Sequence, residues 1–425
     1  AASIRREGSS KFAEGHKWGW FPAASVGWSI SNENFMKDIS WLSNLKLRAG
    51  WGRTGNQGIG AGQTQRVLGI LGNTFVNGDF IKNYGLKMLK PGTTDQYVNP
   101  ASTLQWETKD DFDAGLEFSL FKDRIYGSID VYDRESNNLI YYIQVPQPPN
   151  VYPQTLKNSG SMTNKGVEFE LSGVVIDNKD FNYTTTLRFS HNKNTITTLD
   201  GSDTKQYLHE ISLPGMSQEW GVMLESGGDI GKFYTYRYAG LDADGKWLVY
   251  NKAGQPIPYA QAKQEDKVKM GNAIPQVQLS WDNRFTYKNW DASLFFRSWL
   301  GYNVMNELEM GYGLPYASAN KNVLTSAWGR NANIKTTPIN TSYFMQNGNF
   351  LKLDAVTIGY NLVIPSIKNY ISKVRIYATG RNLFCLTSYK GIDPEVNVNG
   401  LTPGFESQGV GPQTRIWMLG AQITF

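Results

Sequence analysis

Strict alternation of apolar and polar residues recurs along this chain and limits its possible folds more than any other feature. The closing stretch "TRIWMLGAQITF" puts Trp417, Leu419, Ala421, Ile423 and Phe425 on one side and Met418, Gly420, Gln422 and Thr424 on the other. A period of two is a strand whose faces meet different surroundings. "FDAGLEFSL" sets Phe112, Ala114, Leu116, Phe118 and Leu120 against Asp113, Gly115, Glu117 and Ser119. "RIYGSIDVYDR" sets Ile125, Gly127, Ile129 and Val131 against Tyr126, Ser128, Asp130, Tyr132 and Arg134. "GVEFELSGV" and "LKLRAGW" repeat the pattern, and "NYTTTLRFS" and "WDASLFFRS" carry Arg188 and Arg297 on their polar sides. These polar faces hold full charges. A soluble sandwich also alternates, so this feature alone leaves a sandwich, a propeller and a membrane barrel open.

The connections separate them. Strands read at 18–31, 41–53, 104–120, 124–138, 165–176, 181–195, 217–226, 232–240, 275–286, 291–304, 350–363, 374–384 and 414–425 are joined by links that alternate short and long. "FKDR", "DNKD", "SGGDI" and "YKNW" are tight turns, whereas the links near 54–103, 139–164, 196–216, 241–274, 305–349 and 385–413 are long. Loops of that length are uncommon inside compact domains. Short turns at one end and long loops at the other is the plan of an outer-membrane barrel. The reading is therefore all-β: a transmembrane antiparallel β-barrel.

Composition agrees without deciding. Glycine supplies 43 of 425 residues, and 13 Trp, 23 Tyr and 20 Phe favour strands. A formal charge of +5 is too mild for nucleic-acid binding. No apolar run reaches the length of a transmembrane helix, and a mean hydropathy of −0.42 cannot argue against a barrel, whose two faces average out. "AASIRREGSSKF" holds no secretory signal. The single cysteine, Cys385, forms no intrachain disulfide and reads as an inert thiol near the outer rim.

Several segments then match a known family. "RREGSSKF", "WGWFPAASVGWSISNENFM", "LKLRAGWGRTGNQGIG", "NSGSMTNKGVEFELSG", "IGKFYTYRYAGLDADGKW", "NFLKLDAVTIGYNL" and "GRNLFCLTSYKGIDPEV" occur in family order over nearly the whole chain. They resemble the SusC/RagA-type TonB-dependent outer-membrane transporters of Bacteroidetes. The resemblance implies a 22-stranded barrel with a plugged lumen. It also implies a SusD-like surface lipoprotein as a lid, TonB as the source of energy, and import of oligosaccharides or oligopeptides. With "ASIRREG" as part of one more strand, about fourteen strands are present. Residues 1–425 are thus expected to be the C-terminal portion of the barrel, with the plug domain, the first strands and the TonB-contacting segment absent. The family pattern further implies that the terminal strand is read by the barrel-assembly machinery, through Phe425, Ile423 and Gly420.

Chemistry is thinly supported, and no enzyme, cofactor or metal is expected. His16, His191 and His209 lack ligand spacing. "GNQGIGAG" lacks the Lys-Ser/Thr of a phosphate loop, and "DADG" lacks the closing glutamate of a calcium loop. Glu168 and Glu170 could be a glycosidase pair, but so many strands carry charges that lining a hydrated lumen is simpler. Aromatic rings in long loops are the candidate contacts for solute or lid: Tyr141, Tyr142 and Tyr152 in a proline-stiffened loop, and Tyr312, Tyr316 and Trp328. Packing of loop on loop is the alternative. An energised importer leads; a passive porin and a soluble carbohydrate-binding β-protein are the rivals.

Overall fold

The computed structural model describes residues 1–86, 88–90, 96–199, 205–213, 215–316, 322–362, 371 and 373–425. Its frame is one antiparallel sheet in which, among the described residues, twelve strands lie side by side in chain order. We number them β1 (Ala2–Gly8), β2 (Trp18–Ser29), β3 (Leu42–Asn56), β4 (Glu107–Leu120), β5 (Ile125–Asn137) and β6 (Ser161–Asp177). The others are β7 (Phe181–Thr198), β8 (Val277–Tyr287), β9 (Trp290–Leu300), β10 (Phe350–Leu362), β11 (Lys373–Thr387) and β12 (Ile416–Thr424). The sheet is a wall, open between β1 and β12.

Two of the segments read as wall strands are something else. Within 217–226, Glu219–Leu224 pairs with Gln206–Ile211; within 232–240, Phe233–Thr235 pairs with Val268–Met270. Consecutive residues Val222, Met223 and Leu224 are buried, as are Phe233, Tyr234 and Thr235. A strand covered on both sides is not a wall strand with one face on lipid. "SGGDI" is accordingly an internal bend of one long link, 199–276, and the wall count falls from about fourteen to twelve. Because the two lost strands were neighbours, the alternation of ends survives.

Register assigns the faces. Leu116, Ile129 and Phe169 stand opposite one another on β4, β5 and β6, while Glu117, Ser128 and Glu170 form the adjoining row on the other side. Leu47, Ile129, Leu187, Trp281, Ile358, Trp417 and Leu419 are all exposed on the apolar face, Leu419 at 87 %. A band of that extent across twelve strands exceeds the apolar patches of soluble proteins. Lipid is the medium that fits it. Along β5 the band runs from Ile125 to Val131, roughly 20 Å of strand, and the next outward residue is Asp133. Outward ion pairs Arg53–Asp110 (2.8 Å) and Lys165–Asp133 (2.8 Å) close the band at the loop end. Aromatic pairs close it at the turn end: Trp41 with Phe121, Phe181 with Tyr287, and Trp290 with Tyr360.

The long links are folded rather than loose. Val222, Phe233, Val249, Met305, Phe344 and Phe405, drawn from links 199–276, 301–349 and 388–415, share one core above the wall. Phe12, Phe21, Leu104, Trp106 and Leu156 form a second. Inside the larger core, Asn340 donates through Nδ2 to Trp220 O (3.1 Å) and Tyr234 O (2.9 Å), pinning two links together. Such buried donors hold position because breaking them leaves a desolvated amide.

Candidate solute path and its rim

Opposite the lipid face, period-two geometry delivers a row of charges from nearly every strand. Arg48 on β3 spans Asp113 and Glu117 on β4 and Asp130 on β5. Arg134 meets Asp111 at 3.1 Å, Arg188 meets Glu170 at 2.7 Å, and Arg375 meets Asp291 at 2.9 Å. These side chains stay partly exposed, so the pairs are solvated and individually add little stability. Their effect is on the surface itself, which stays wet, polar and mixed in sign. Ser128, Asp130, Glu168, Glu170, Arg188 and Arg297 line a hollow of about 510 Å³ on this face. Glu168 and Glu170 therefore belong to the wall lining, and Arg188 already holds Glu170.

At the loop end the charges tighten into a cluster. Arg297 on β9 donates to Glu395 at 2.8 and 3.1 Å and to Asp354 at 3.2 Å. Lys352, its side chain only 4 % exposed, reaches Glu395 at 2.9 Å and Asp393 at 3.6 Å. Asp354 sits at a register shift in β10, where the extra residue turns it toward Arg297. Burial pushes the Glu395 carboxyl up, but hydrogen bonds from Arg297 and Lys352 outweigh this and hold it below the ordinary glutamate range. The cluster ties link 388–415 to β9 and β10. A second hollow of about 310 Å³ near this level is rich in amides and ammonium groups: Asn192, Lys193, Asn194, Lys232, Asn272 and Gln276.

The six loop aromatics are not brought together. Tyr142 donates from its hydroxyl to Gln63 Oε1 (3.3 Å) beneath the Lys90 ammonium. Tyr152 stacks on Tyr97 (5.7 Å between centroids) and donates to Leu86 O. Burial raises both hydroxyl pKa values. Tyr141 packs against the larger loop core. These three rings pack loop on loop. Tyr312 donates to Gln408 Oε1 at 3.1 Å. Tyr316 and Trp328 stay exposed, Trp328 at 65 %. Sequence reasoning passed over the rim cluster, although "GIDPEV" carried its signal in Asp393 and Glu395.

The terminal strand lies where the alternation put it. Ile423 stands opposite Val374, and Gly420 stands opposite Tyr377, whose ring passes 2.4 Å from where a Cβ on Gly420 would be. Phe425 follows the last paired residue and is 87 % exposed.

Comparison with known proteins agrees with this architecture. The chain is 29 % identical over its whole length to the TonB-dependent receptor SusC of Bacteroides thetaiotaomicron, covering 42 % of that protein. It is 29 % identical to TonB-dependent receptor P3 of Formosa agariphila, covering 43 % of it. It thus spans less than half the length of these curated relatives. The structure of the RagAB peptide transporter superposes on the whole chain with a TM-score of 0.80 at 24 % identity, over 45 % of its own chain, a likeness of fold. The family model for the TonB dependent receptor-like β-barrel matches residues 1–383. That match runs from β1 into β11, over most of the wall, and the chain belongs to the TonB-dependent receptor-like β-barrel family of the outer membrane.

Proposed function

We propose that the chain forms the C-terminal part of the barrel of an active importer that takes up oligosaccharides or oligopeptides, is energised through TonB and works with a SusD-like surface lipoprotein. The observation that carries this reading is the continuous charged face beneath a folded layer of long links. A solute too large to diffuse through an open pore needs a wide, wet path and a rim that can bind it, and ion pairs half-open to solvent supply the first. Support for the family of solute is indirect: one relative bears the name SusC, and the fold neighbour is a peptide transporter. No covalent step is required of any residue in the wall.

Within this reading the exposed rings Tyr316 and Trp328 are the aromatic contacts for solute or lid, since Tyr141, Tyr142 and Tyr152 are engaged in loop packing. The test is uptake of fluorescent oligosaccharides and oligopeptides by cells with and without the gene. An importer should lose uptake on deletion and also when an uncoupler collapses the inner-membrane proton gradient. Uptake that needs the gene but ignores the uncoupler would mean a passive porin. Co-purification of a surface lipoprotein with the full-length protein tests the lid.

A further inference from the structure

The charged face of the wall carries one acid that the wall itself does not use. Five charged residues line the hollow of about 510 Å³ that runs from β5 to β9: Asp130, Glu168, Glu170, Arg188 and Arg297. Four of them are engaged. Asp130 accepts from Arg48, Glu170 accepts from Arg188 at 2.7 Å, and Arg297 is held by Glu395 and Asp354. Glu168 is the exception. Among the described residues no lysine, arginine or histidine pairs with it, and its side chain stays exposed. A carboxylate that the fold leaves unmatched in a wet hollow is open to a cation from outside the wall.

Register places what lies beside that acid. Glu168 on β6, Ser190 on β7, Gln278 on β8 and Trp299 on β9 stand opposite one another in turn, one row across the charged face. Trp299 is one residue from the loop end of β9, so the row lies toward the outside of the cell. Its ring is fixed by Phe350 (5.5 Å between centroids) and Tyr302 (6.0 Å), and it lines the same hollow. Neighbouring strands are about 4.8 Å apart, so the three steps from Glu168 to Trp299 span roughly 14 Å. An extended peptide rises about 3.3 Å per residue, and side chains four residues apart cover that distance. Between the two ends, Ser190 and Gln278 present a hydroxyl and an amide that suit a peptide backbone. A neutral oligosaccharide would leave the carboxylate unmatched. An aminosugar oligomer repeats its ammonium on every ring and would bring cations over Arg188 and Arg297, one row below.

We propose that this row is a solute subsite selecting oligopeptides that carry a lysine or arginine about four residues from an apolar side chain, with the cation on Glu168 and the apolar group on Trp299. It rests on the importer reading above and chooses oligopeptides from the two classes of solute named there. Cells with and without the full-length gene are given radiolabelled acetyl-Lys-Ser-Gly-Ser-Leu, the same peptide with glutamine in place of lysine, and a glucosamine tetramer. Heat-shifted gel migration shows that each variant is folded. Wild-type cells should take up the lysyl peptide about fivefold better than the glutaminyl one, the most that one solvent-exposed ion pair supplies. Glu168→Gln should erase that preference by lowering lysyl uptake alone, and Glu168→Asp should keep most of it. An unchanged preference in folded Glu168→Gln overturns the subsite and leaves the importer standing. So does an equal loss of both peptides, which would mean that Glu168 braces the barrel or its plug, and so does uptake of the glucosamine tetramer in place of the peptides. Peptide uptake that needs the gene but survives an uncoupler would overturn the importer reading and the subsite with it.

Discussion

Residues 128 and 129 sit side by side on β5 and should answer oppositely to the same substitution. Ile129 is on the lipid face, opposite Leu116 and Phe169. It lies midway between Ile125 at the turn end and Asp133, the first outward charge, so roughly 13 Å of strand separates it from either boundary. An arginine there meets the middle of the bilayer, at a cost of about 2–4 kcal/mol. Ser128 faces the other way and stands opposite Glu117 on β4 and Glu170 on β6. An arginine at 128 gains two carboxylates in cross-strand register, worth about 0.2–1 kcal/mol apiece at most. The gap between the variants is therefore about 2 kcal/mol or more, at least a tenfold difference in the folding equilibrium. The assay is a urea titration of the full-length protein refolding into phospholipid vesicles, followed by heat-shifted gel migration. Ile129→Arg should refold only at markedly lower urea, with Ser128→Arg close to wild type. If Ser128→Arg were the more damaging, or the two matched, the faces assigned here would be wrong by one residue along the whole strand.

The sequence disclosed the wall because its rule is simple. A strand half in lipid and half in water must alternate, so 124–138 corresponds to Ile125–Asn137 and 275–286 to Val277–Tyr287. The rule falls silent outside the membrane. β6 begins at Ser161, earlier than the alternation from 165, because Ser161, Thr163 and Asn164 are all polar and Met162 packs against the larger loop core, so the segment shows no lipid-water contrast. It also misleads inside a loop core, where Val222, Met223 and Leu224 are buried together and 217–226 only imitates a wall strand. Site residues were harder for a different reason. Aromatic content in the loops was visible, but the bond from Tyr142 to Gln63 and the stack of Tyr152 on Tyr97 join segments far apart in the chain. The rim cluster depends on Arg297, Asp354 and Glu395, which come from three elements and meet only once the wall is built.

Four further expectations follow from the same geometry. Surface proteolysis of intact cells should cut links 57–106 and 301–349 and spare the turn at 287–290; cleavage at the turn alone would invert the topology. Because Glu395 titrates below the ordinary glutamate range, its stabilising contribution is present at neutral pH and is lost as pH falls through that lowered value. Hydrogen exchange in link 388–415 should therefore rise in acid, and Glu395→Gln should show raised exchange at pH 7 with no acid step of its own; exchange that falls in acid instead would mean that the rim cluster does not tie this link to β9 and β10. Replacing Tyr316 and Trp328 together by alanine should weaken solute capture about tenfold with the folded fraction unchanged, and unaltered capture would remove both rings from the path. The last expectation concerns the terminal strand, where two candidate assembly residues should fail in different ways. Gly420 is under the Tyr377 ring, so Gly420→Ala forces ring and strand apart and should lower refolding in detergent as well as folded barrel in cells. Phe425 lies beyond the last strand pair and is almost wholly exposed, so its deletion removes little packing and should leave refolding from urea nearly unchanged. If the assembly machinery reads that ring, the same deletion should sharply reduce folded barrel in the outer membrane of cells. Equal losses in both assays would make Phe425 a contributor to stability alone, and normal assembly in cells would show that the machinery does not read it.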